Sequence, residues 1–422
     1  MAAPRSTEKR EGFMESSIES ARPPARPQAT VAAWAQSVEQ AIASQQWHGA
    51  WRALIDAALP AETAVQQSLL TALDAWDGLA ADSGAEPRRA LVQQAFDALH
   101  AAHAPGQALQ ADSAPSRAHR AYRAHCILGR QLVKRYRRGG FALGPVDVAV
   151  EPGTILGLVG ENGNGKTTLL RLLAADLAPD AGQLDWGVPA ADAYLLRTQL
   201  AYIPQRPAVW SGRLMDHLQF AARSHGAVGP RNICLVQLVI AQLGLRAFRG
   251  HQWKQLSSGY KMRFELARAL LCRPRVLLLD EPLANLDINA QQTLLTDLQS
   301  LARSPWQPMA LVLSSQQLYE VEKVADQVLF LEQGQPRSVQ QSFAAMQGCA
   351  IEFETGWAMA QLKPWLDRLP SHTHQLSGQT HIVSFHVPFT AAQFLAQAVQ
   401  AQMPVRYFRD ITASTRRLFV RD

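Results

Sequence analysis

Apolar side chains recur at three- and four-residue intervals through the first quarter of the chain. Val31, Trp34, Val38 and Ile42 fall on one face, followed by Trp47, Trp51, Leu54 and Ile55, by Leu69, Leu70, Leu73 and Trp76, and by Leu91, Val92, Phe96 and Leu99. An α-helix returns to the same side every ~3.6 residues, so the pattern predicts amphipathic helices whose tryptophans face a core. Pro60, Gly84 and Pro87 are expected to mark the breaks between them. The expected product is a small all-α domain of antiparallel hairpins over residues 30–125. Before it, residues 1–29, with Arg22-Pro23-Pro24 and Arg26-Pro27, predict a disordered tail. From residue 126 to 340, short apolar runs alternate with helix-like ones, as an α/β domain requires. Past 340, Ala350 to Glu354, His381 to Val387 and Val405 to Phe408 read as strands. Helix-like stretches at 357–369 and 391–402 separate them, and residues 341–422 are expected to form a small α+β domain.

One stretch organises the α/β region. The apolar run Ile155-Leu156-Gly157-Leu158-Val159 reads as a buried strand, and Leu169, Leu170, Leu172 and Leu173 read as a helix face. Between them lies Gly160-Glu161-Asn162-Gly163-Asn164-Gly165-Lys166-Thr167-Thr168. Glycines at this spacing let successive backbone N–H groups turn inward onto phosphate oxygens, and the helix N-terminus adds its positive dipole end. Lys166 would reach the β- and γ-phosphates, and the Thr167 hydroxyl would ligate Mg²⁺. Asn162 and Thr168 complete the candidate phosphate-binding loop.

A second apolar run, Val276-Leu277-Leu278-Leu279, ends in Asp280-Glu281-Pro282. An acid at the end of a buried strand beside a phosphate loop is where Mg²⁺ needs a ligand, a role that falls to Asp280. Glu281 points differently and could polarise an attacking water. Upstream, Leu256-Ser257-Ser258-Gly259-Tyr260 precedes a helix-like run, where hydroxyl and backbone N–H groups can cap a helix or bind an anion.

Composition changes this picture little. With 422 residues, two or three domains are expected, and a hydrophobic content of 47% suffices for packed cores. No apolar run reaches membrane-spanning length, and the opening residues do not read as a secretory signal. Cys126, Cys234, Cys272 and Cys349 lack metal or redox spacing, which suits a reducing compartment. The net charge is +6, and its densest cluster is Arg117, Arg120, Arg123, Arg130, Lys134, Arg135, Arg137 and Arg138. Read as a helical stripe, this stretch could touch lipid headgroups or nucleic acid; without interleaved aromatics, a solvated linker face is the expectation. His372, His374, His381 and His386 have no Cys, Asp or Glu completing a ligand pattern and read as ordinary strand and loop residues.

The order of motifs resembles the ATP-binding cassette ATPase domain of ABC transporters across residues 126–340. It comprises the phosphate loop, Ala201-Tyr202-Ile203-Pro204-Gln205, Leu256 to Tyr260, Leu278 to Pro282 and Asn285-Leu286-Asp287. The resemblance implies a P-loop NTPase fold with a helical subdomain, and ATP and Mg²⁺ as ligands. It implies that Tyr136 stacks on adenine and that Gln205 senses the γ-phosphate and Mg²⁺. Ser257 and Gly259 would contact the γ-phosphate bound to an opposite subunit, and Asp287 would communicate across that dimer. Partners would be a permease on a separate chain and a second cassette, by homodimerisation or pairing with a similar subunit. The location would be cytoplasmic, peripheral at the inner face of the membrane. The closing residues 410–419 resemble the end of cassettes that serve export-type transporters.

Two departures from the family pattern stand out. Ser258 and Tyr260 replace the usual glycine and glutamine of the signature, and Gln316, or with a one-residue slip Gln317, stands where the family carries a switch histidine. An amide cannot become an imidazolium, so slowed hydrolysis is expected. A soluble cassette acting on ribosomes or nucleic acid, and a regulatory nucleotide-binding protein with weak turnover, remain open at this point.

Overall fold

The computed structural model describes residues 31–80, 83–103, 125–137, 140–187, 193–337, 349–377, 380–385 and 387–412. The expected tail, Arg117, Arg120, Arg123, Arg138, His386 and most of the export-like closing stretch lie outside them.

The first helices are α1 (Val31–Ala43), α2 (Trp47–Ala58), α3 (Thr63–Asp77) and α4 (Ala85–Ala102). Trp34, Val38, Trp51, Leu54, Leu69, Phe96 and Leu99 are buried together, which places two of the tryptophans in a core. Pro87 is not a break: it sits in the first turn of α4, where a missing N–H costs no helical hydrogen bond. The turn between α1 and α2 carries no glycine or proline; Gln45 takes the left-handed conformation there, with φ +57°.

These helices lie against the α/β region. Leu238 of α8 (Gly229–Gln242) belongs to their core, and Ala241 and Trp306 pack on it. Trp306 meets Trp34 edge-on at 5.5 Å and His103 at 4.3 Å. Charged groups ring the apolar contact. Arg246 pairs with Asp74 and Asp77, Arg52 and Arg263 both pair with Asp297, and Ser304 donates to Asp56 at 2.8 Å. Burial pushes the Asp56 carboxyl up to about 6, with the Ser304 hydrogen bond opposing it.

The α/β region is built on a sheet ordered β5-β6-β7-β3-β8-β9, from β3 (Ile155–Val159), β5 (Leu200–Ile203), β6 (Val276–Leu279), β7 (Ala310–Ser315), β8 (Gln327–Glu332) and β9 (Gln335–Arg337). All neighbours are parallel except β8 and β9. Every residue of β3, β6 and β7 is buried, as parallel strands covered on both faces should be. Alternate side chains serve different layers. Ile155, Leu277, Leu279, Leu311 and Leu313 join the core with α7 (Leu214–Ser224), α8, α9 (Ser258–Leu271) and α10 (Ile288–Ala302). Leu156, Leu158, Leu278 and Val312 join α5 (Lys166–Leu173) and an antiparallel sheet ordered β2-β1-β4. That sheet consists of β1 (Ile127–Arg135), β2 (Ala142–Val150) and β4 (Ala181–Trp186).

The basic stretch is therefore not a helical stripe where it is described: Arg130, Lys134 and Arg135 stand on strand β1. Lys134 pairs with Asp180 at 3.0 Å, and the Arg135 N–H donates to the same carboxylate. The strand, rather than a helix, forms because residues 127–135 pair on both sides, with β2 and β4.

The last described segment runs β10 (Ala350–Thr355), α12 (Met359–Leu366), β11 (His372–Ser377), β12 (Thr380–Phe385), α13 (Ala391–Gln400), β13 (Val405–Asp410), with α6 (Ala193–Gln199) and α11 (Leu318–Glu322) completing the helices named here. Its sheet is antiparallel and ordered β11-β12-β10-β13, a split βαβ arrangement. Ile351, Phe353, Leu362, Val383, Phe385 and Phe394 fill its core. Strand β11 has no apolar alternation to announce it, and its partner β12 defines it. His374 Nε2 lies 3.1 Å from His381 Nδ1, and burial lowers both imidazoles below their usual range. Among the described residues, no helix is long and apolar enough to cross a membrane.

Candidate functional site

The phosphate loop leaves β3 and enters α5 at the C-terminal edge of the sheet, where open α/β sheets bind ligands. Gly165 is left-handed at φ +96°, and a side chain there would meet Leu143 at 2.9 Å and Phe141 at 3.0 Å. Gly160 approaches the backbone of β8 so closely that a Cβ would lie 2.3 Å from the Leu331 carbonyl oxygen. Asn164 Oδ1 accepts from the Gln333 N–H at 3.1 Å and pins the loop to the β8–β9 turn. Asn162, Gly163 and Thr167 are exposed, and Thr168 is half-buried.

Lys166 is buried and curls back over its own loop. Its ammonium donates to the Gly160 carbonyl at 2.7 Å and the Glu161 carbonyl at 3.2 Å, and stands 3.3 Å from Glu281 Oε1. Thr167 Oγ1 donates to Asp280 Oδ2 at 2.8 Å. Thr167 and Asp280 thus present a hydroxyl and a carboxylate oxygen at one point. Mg²⁺ prefers hard oxygen donors and takes only one or two from protein when phosphates supply others, so this pair fits it. Among the described residues, no group of three or more His, Cys, Asp or Glu side chains could hold a metal ion, so a closed all-protein cage is not the arrangement here.

Glu281 collects three donors. Gln205 Nε2 lies 2.6 Å and Gln316 Nε2 2.8 Å from its Oε2, with Lys166 on the other oxygen. An ionised carboxylate only accepts, so both amides present their NH₂ sides. The backbone at Glu281 is left-handed, φ +48°, a strained conformation for a side chain of this kind and one that clusters at functional sites. The alternative Gln317 stands at the N-cap of α11, and its N–H bonds to Ser315. Gln316 is the residue that reaches the acids.

Two contacts to Asp280 were not foreseen from sequence. Ser314 Oγ lies 2.8 Å from Asp280 Oδ1, and the Tyr202 hydroxyl 3.3 Å from Oδ2. Burial, with the Asp280 carboxylate beside it, pushes the Tyr202 hydroxyl above its usual range, so it remains a proton donor. Tyr202 lies in the same Ala201 to Gln205 run as the sensing glutamine, and its hydroxyl is the one signal in the sequence for this contact.

Tyr136 is partly exposed, and its ring lies 6.3 Å from Phe141, the residue that covers Gly165. Ser257 caps α9, its hydroxyl accepting from the Tyr260 N–H at 3.5 Å. The two signature departures have local partners: Ser258 donates to the Asn285 carbonyl at 2.7 Å, and Tyr260 packs on Phe248 with centroids 3.8 Å apart. Asp287 caps α10 through the Ala290 N–H at 2.9 Å. Contacts of Ser257, Gly259 and Asp287 run to Tyr260, Leu286 and Ala290, not to the phosphate loop. The site therefore unites Lys166, Thr167, Gln205, Asp280, Glu281 and Gln316 and leaves the signature elsewhere.

A family model described as ABC transporter matches residues 143–284. The chain is 39% identical over 159 residues to the cytochrome c biogenesis ATP-binding export protein CcmA of Cupriavidus necator, covering 36% of this chain and 68% of that protein. It is 34% identical over 205 residues to the aliphatic sulfonates import ATP-binding protein SsuB of Ralstonia nicotianae, covering 48% and 68%. It is 35% identical over 210 residues to the nickel import ATP-binding protein NikO of Rhodobacter capsulatus, covering 47% and 82%. With its phosphate loop, paired acids and two glutamines converging as described, this chain belongs to the ATP-binding subunits of ABC transporters and is an ATPase.

Proposed function

We propose that the chain hydrolyses ATP to drive a permease carried on a separate polypeptide. The observation that supports this best is the meeting of Lys166, Thr167, Gln205, Asp280, Glu281 and Gln316 at one edge of the sheet. Backbone N–H groups of the loop cradle the phosphates, and Lys166 exchanges its contacts with Gly160, Glu161 and Glu281 for phosphate oxygens. Thr167 and Asp280 would hold Mg²⁺, with Gln205 beside them; when bound, the ion neutralises charge on the phosphates. Glu281, released by Lys166 and the glutamines, orients water and accepts its proton. Tyr136 stacks on the adenine.

Gln316 donates to the γ-phosphate without carrying a charge, and hydrolysis is slowed for that reason. Replacing a lost transition-state donor recovers up to about 10²–10³ in rate. Because the amide already supplies part of this, Gln316→His is expected to raise steady-state turnover about 10-fold; a slower His variant would argue against the handicap.

The remote placement of Ser257, Gly259 and Asp287 calls for a second cassette, a homodimer or a pair with a similar subunit, whose signature closes over this ATP. The protein then sits in the cytoplasm, held peripherally at the inner face of the membrane by its permease. For direction we take export, on the likeness of residues 410–419; the relatives are named for both directions. Residues 30–125 and 341–422 are taken as all-α and α+β domains flanking the cassette. The nucleic-acid alternative loses ground because Lys134 is paired with Asp180. Detergent extraction followed by identification of the co-purifying protein tests the reading: a polytopic membrane protein is expected, and ribosomal or nucleic-acid partners would replace it with the alternative.

A further inference from the structure

Asp280 and Glu281 are consecutive residues with different tasks, so something must fix one acid relative to the other. The parallel ladder between β6 and β7 has its last pair at Leu279 and Leu313. Beyond it, the N–H of Glu281 is met by the hydroxyl of Ser314, at 2.9 Å, and the same Oγ lies 2.8 Å from Asp280 Oδ1. Ser314 is fully buried. A backbone N–H only donates and an ionised carboxylate only accepts, so the assignment is forced: Ser314 accepts from Glu281 and donates its one proton to Asp280.

The consequence for Asp280 is rotational. Its Oδ1 is tied to Ser314, and its Oδ2 faces Thr167 at 2.8 Å and the Tyr202 hydroxyl at 3.3 Å. Turning the carboxylate about its Cβ–Cγ bond would sacrifice a hydrogen bond to a charged group in a buried place, one of the stronger kinds. Oδ2 is therefore kept on the Thr167 side. For Glu281 the consequence is conformational: the hydroxyl holds the peptide that leads into the φ +48° turn, which sends the side chain toward Lys166, Gln205 and Gln316.

We propose that Ser314 is a positioning residue that uses one hydroxyl to set both acids, keeping an Asp280 oxygen aimed at the cation position and Glu281 aimed at the water position, with Tyr202 as a second, weaker restraint. This rests on the reading of the site as one for ATP with Mg²⁺. The test is a Mg²⁺ titration of the retention of a non-hydrolysable ATP analogue by the full-length chain, read by equilibrium dialysis, with a parallel measurement in EDTA.

Ser314→Ala is expected to raise the Mg²⁺ concentration at half-maximal retention about 10-fold, the size expected for losing a hydrogen bond to a charged group. Retention in EDTA should stay unchanged, and Ser314→Thr, which keeps the hydroxyl, should restore the midpoint most of the way. Tyr202→Phe should move the midpoint about threefold, in keeping with its longer contact. If Ser314→Ala does not fold, Ser314→Cys keeps the volume with a poor donor and should still shift the midpoint. Coincident Mg²⁺ titrations for the wild type and the folded Ala or Cys variant would overturn the proposal. Absence of Mg²⁺-dependent retention in the wild type would instead sink the nucleotide-site reading on which it stands.

Discussion

Around Glu281, three side-chain nitrogens converge on one carboxylate; under the N-terminal helices, Leu238, Ala241 and Trp306 lie against Trp34 and its neighbours, an apolar contact with the pair of Arg52 and the buried Asp297 beside it. The first set of contacts is directional and, on the proposed function, is given up when ATP binds. The second is apolar, non-directional and permanent, worth roughly 25 cal/mol per Å² buried. The difference teaches where damage should show. Substitutions near Glu281 should change turnover and spare the fold, and substitutions in the helical core should do the reverse.

The largest effect is expected at Glu281. Removing a positioned general base typically costs about 10²–10⁴ in rate, so Glu281→Gln should nearly abolish phosphate release while the melting temperature stays close to wild type. A large fall in melting temperature would erase the contrast between the regions.

Leu54 is fully buried in the helical core. Its replacement by Ala should cost about 2–5 kcal/mol in urea denaturation, through lost burial and the cavity left behind. Nucleotide retention per folded molecule should be untouched; a matching loss of retention would mean that the helical core and the site are coupled.

Asp56 sharpens the comparison with a smaller effect and a definite sign. Its folded pKa of about 6 lies above the ordinary carboxyl value of 3.8, so the native state binds the extra proton between them. Its contribution is therefore fully present below pH 3.8 and is lost as pH rises through about 6. Asp56→Asn should stabilise the protein by about 1–2 kcal/mol at neutral pH and flatten the stability profile between pH 4 and 6, measured by urea melts. An unchanged slope would place Asp56 in a solvated setting.

The smallest effect concerns the signature. Tyr260→Ala loses the contact with Phe248, an aromatic pair worth about 0.5–1.5 kcal/mol. Thermal melts should register a drop of that order, with Ser257 still capping α9.

The loop from Gly160 to Thr168 was legible because its chemistry is local: glycines, lysine and threonine must follow one another along a few residues of backbone. The buried runs at 155–159 and 276–279 were legible for a similar reason, since strands covered on both faces leave an unbroken apolar stretch. Ser314 and Tyr202 were not, because their contact with Asp280 depends on strand register, which no linear pattern states. Strand β11 was missed because its polar residues lack alternation. The place of Arg130 and Lys134 on a strand, rather than on a linker face, was not legible because charge spacing says nothing about the ladders that β2 and β4 offer β1. The seam was least legible of all: Arg52 and Asp297 are 245 residues apart in sequence.

Asp297 carries a practical warning for anyone wishing to dissect this protein. Burial raises its carboxyl, and two guanidinium groups compensate it, one of them supplied by the front of the chain. An expression fragment starting after residue 125 would forfeit Arg52 and bare Leu238 to water in the same cut. Poor yield or clumping of such a fragment would reflect a missing counter-ion and an uncovered greasy patch, rather than any defect in how the remainder handles nucleotide.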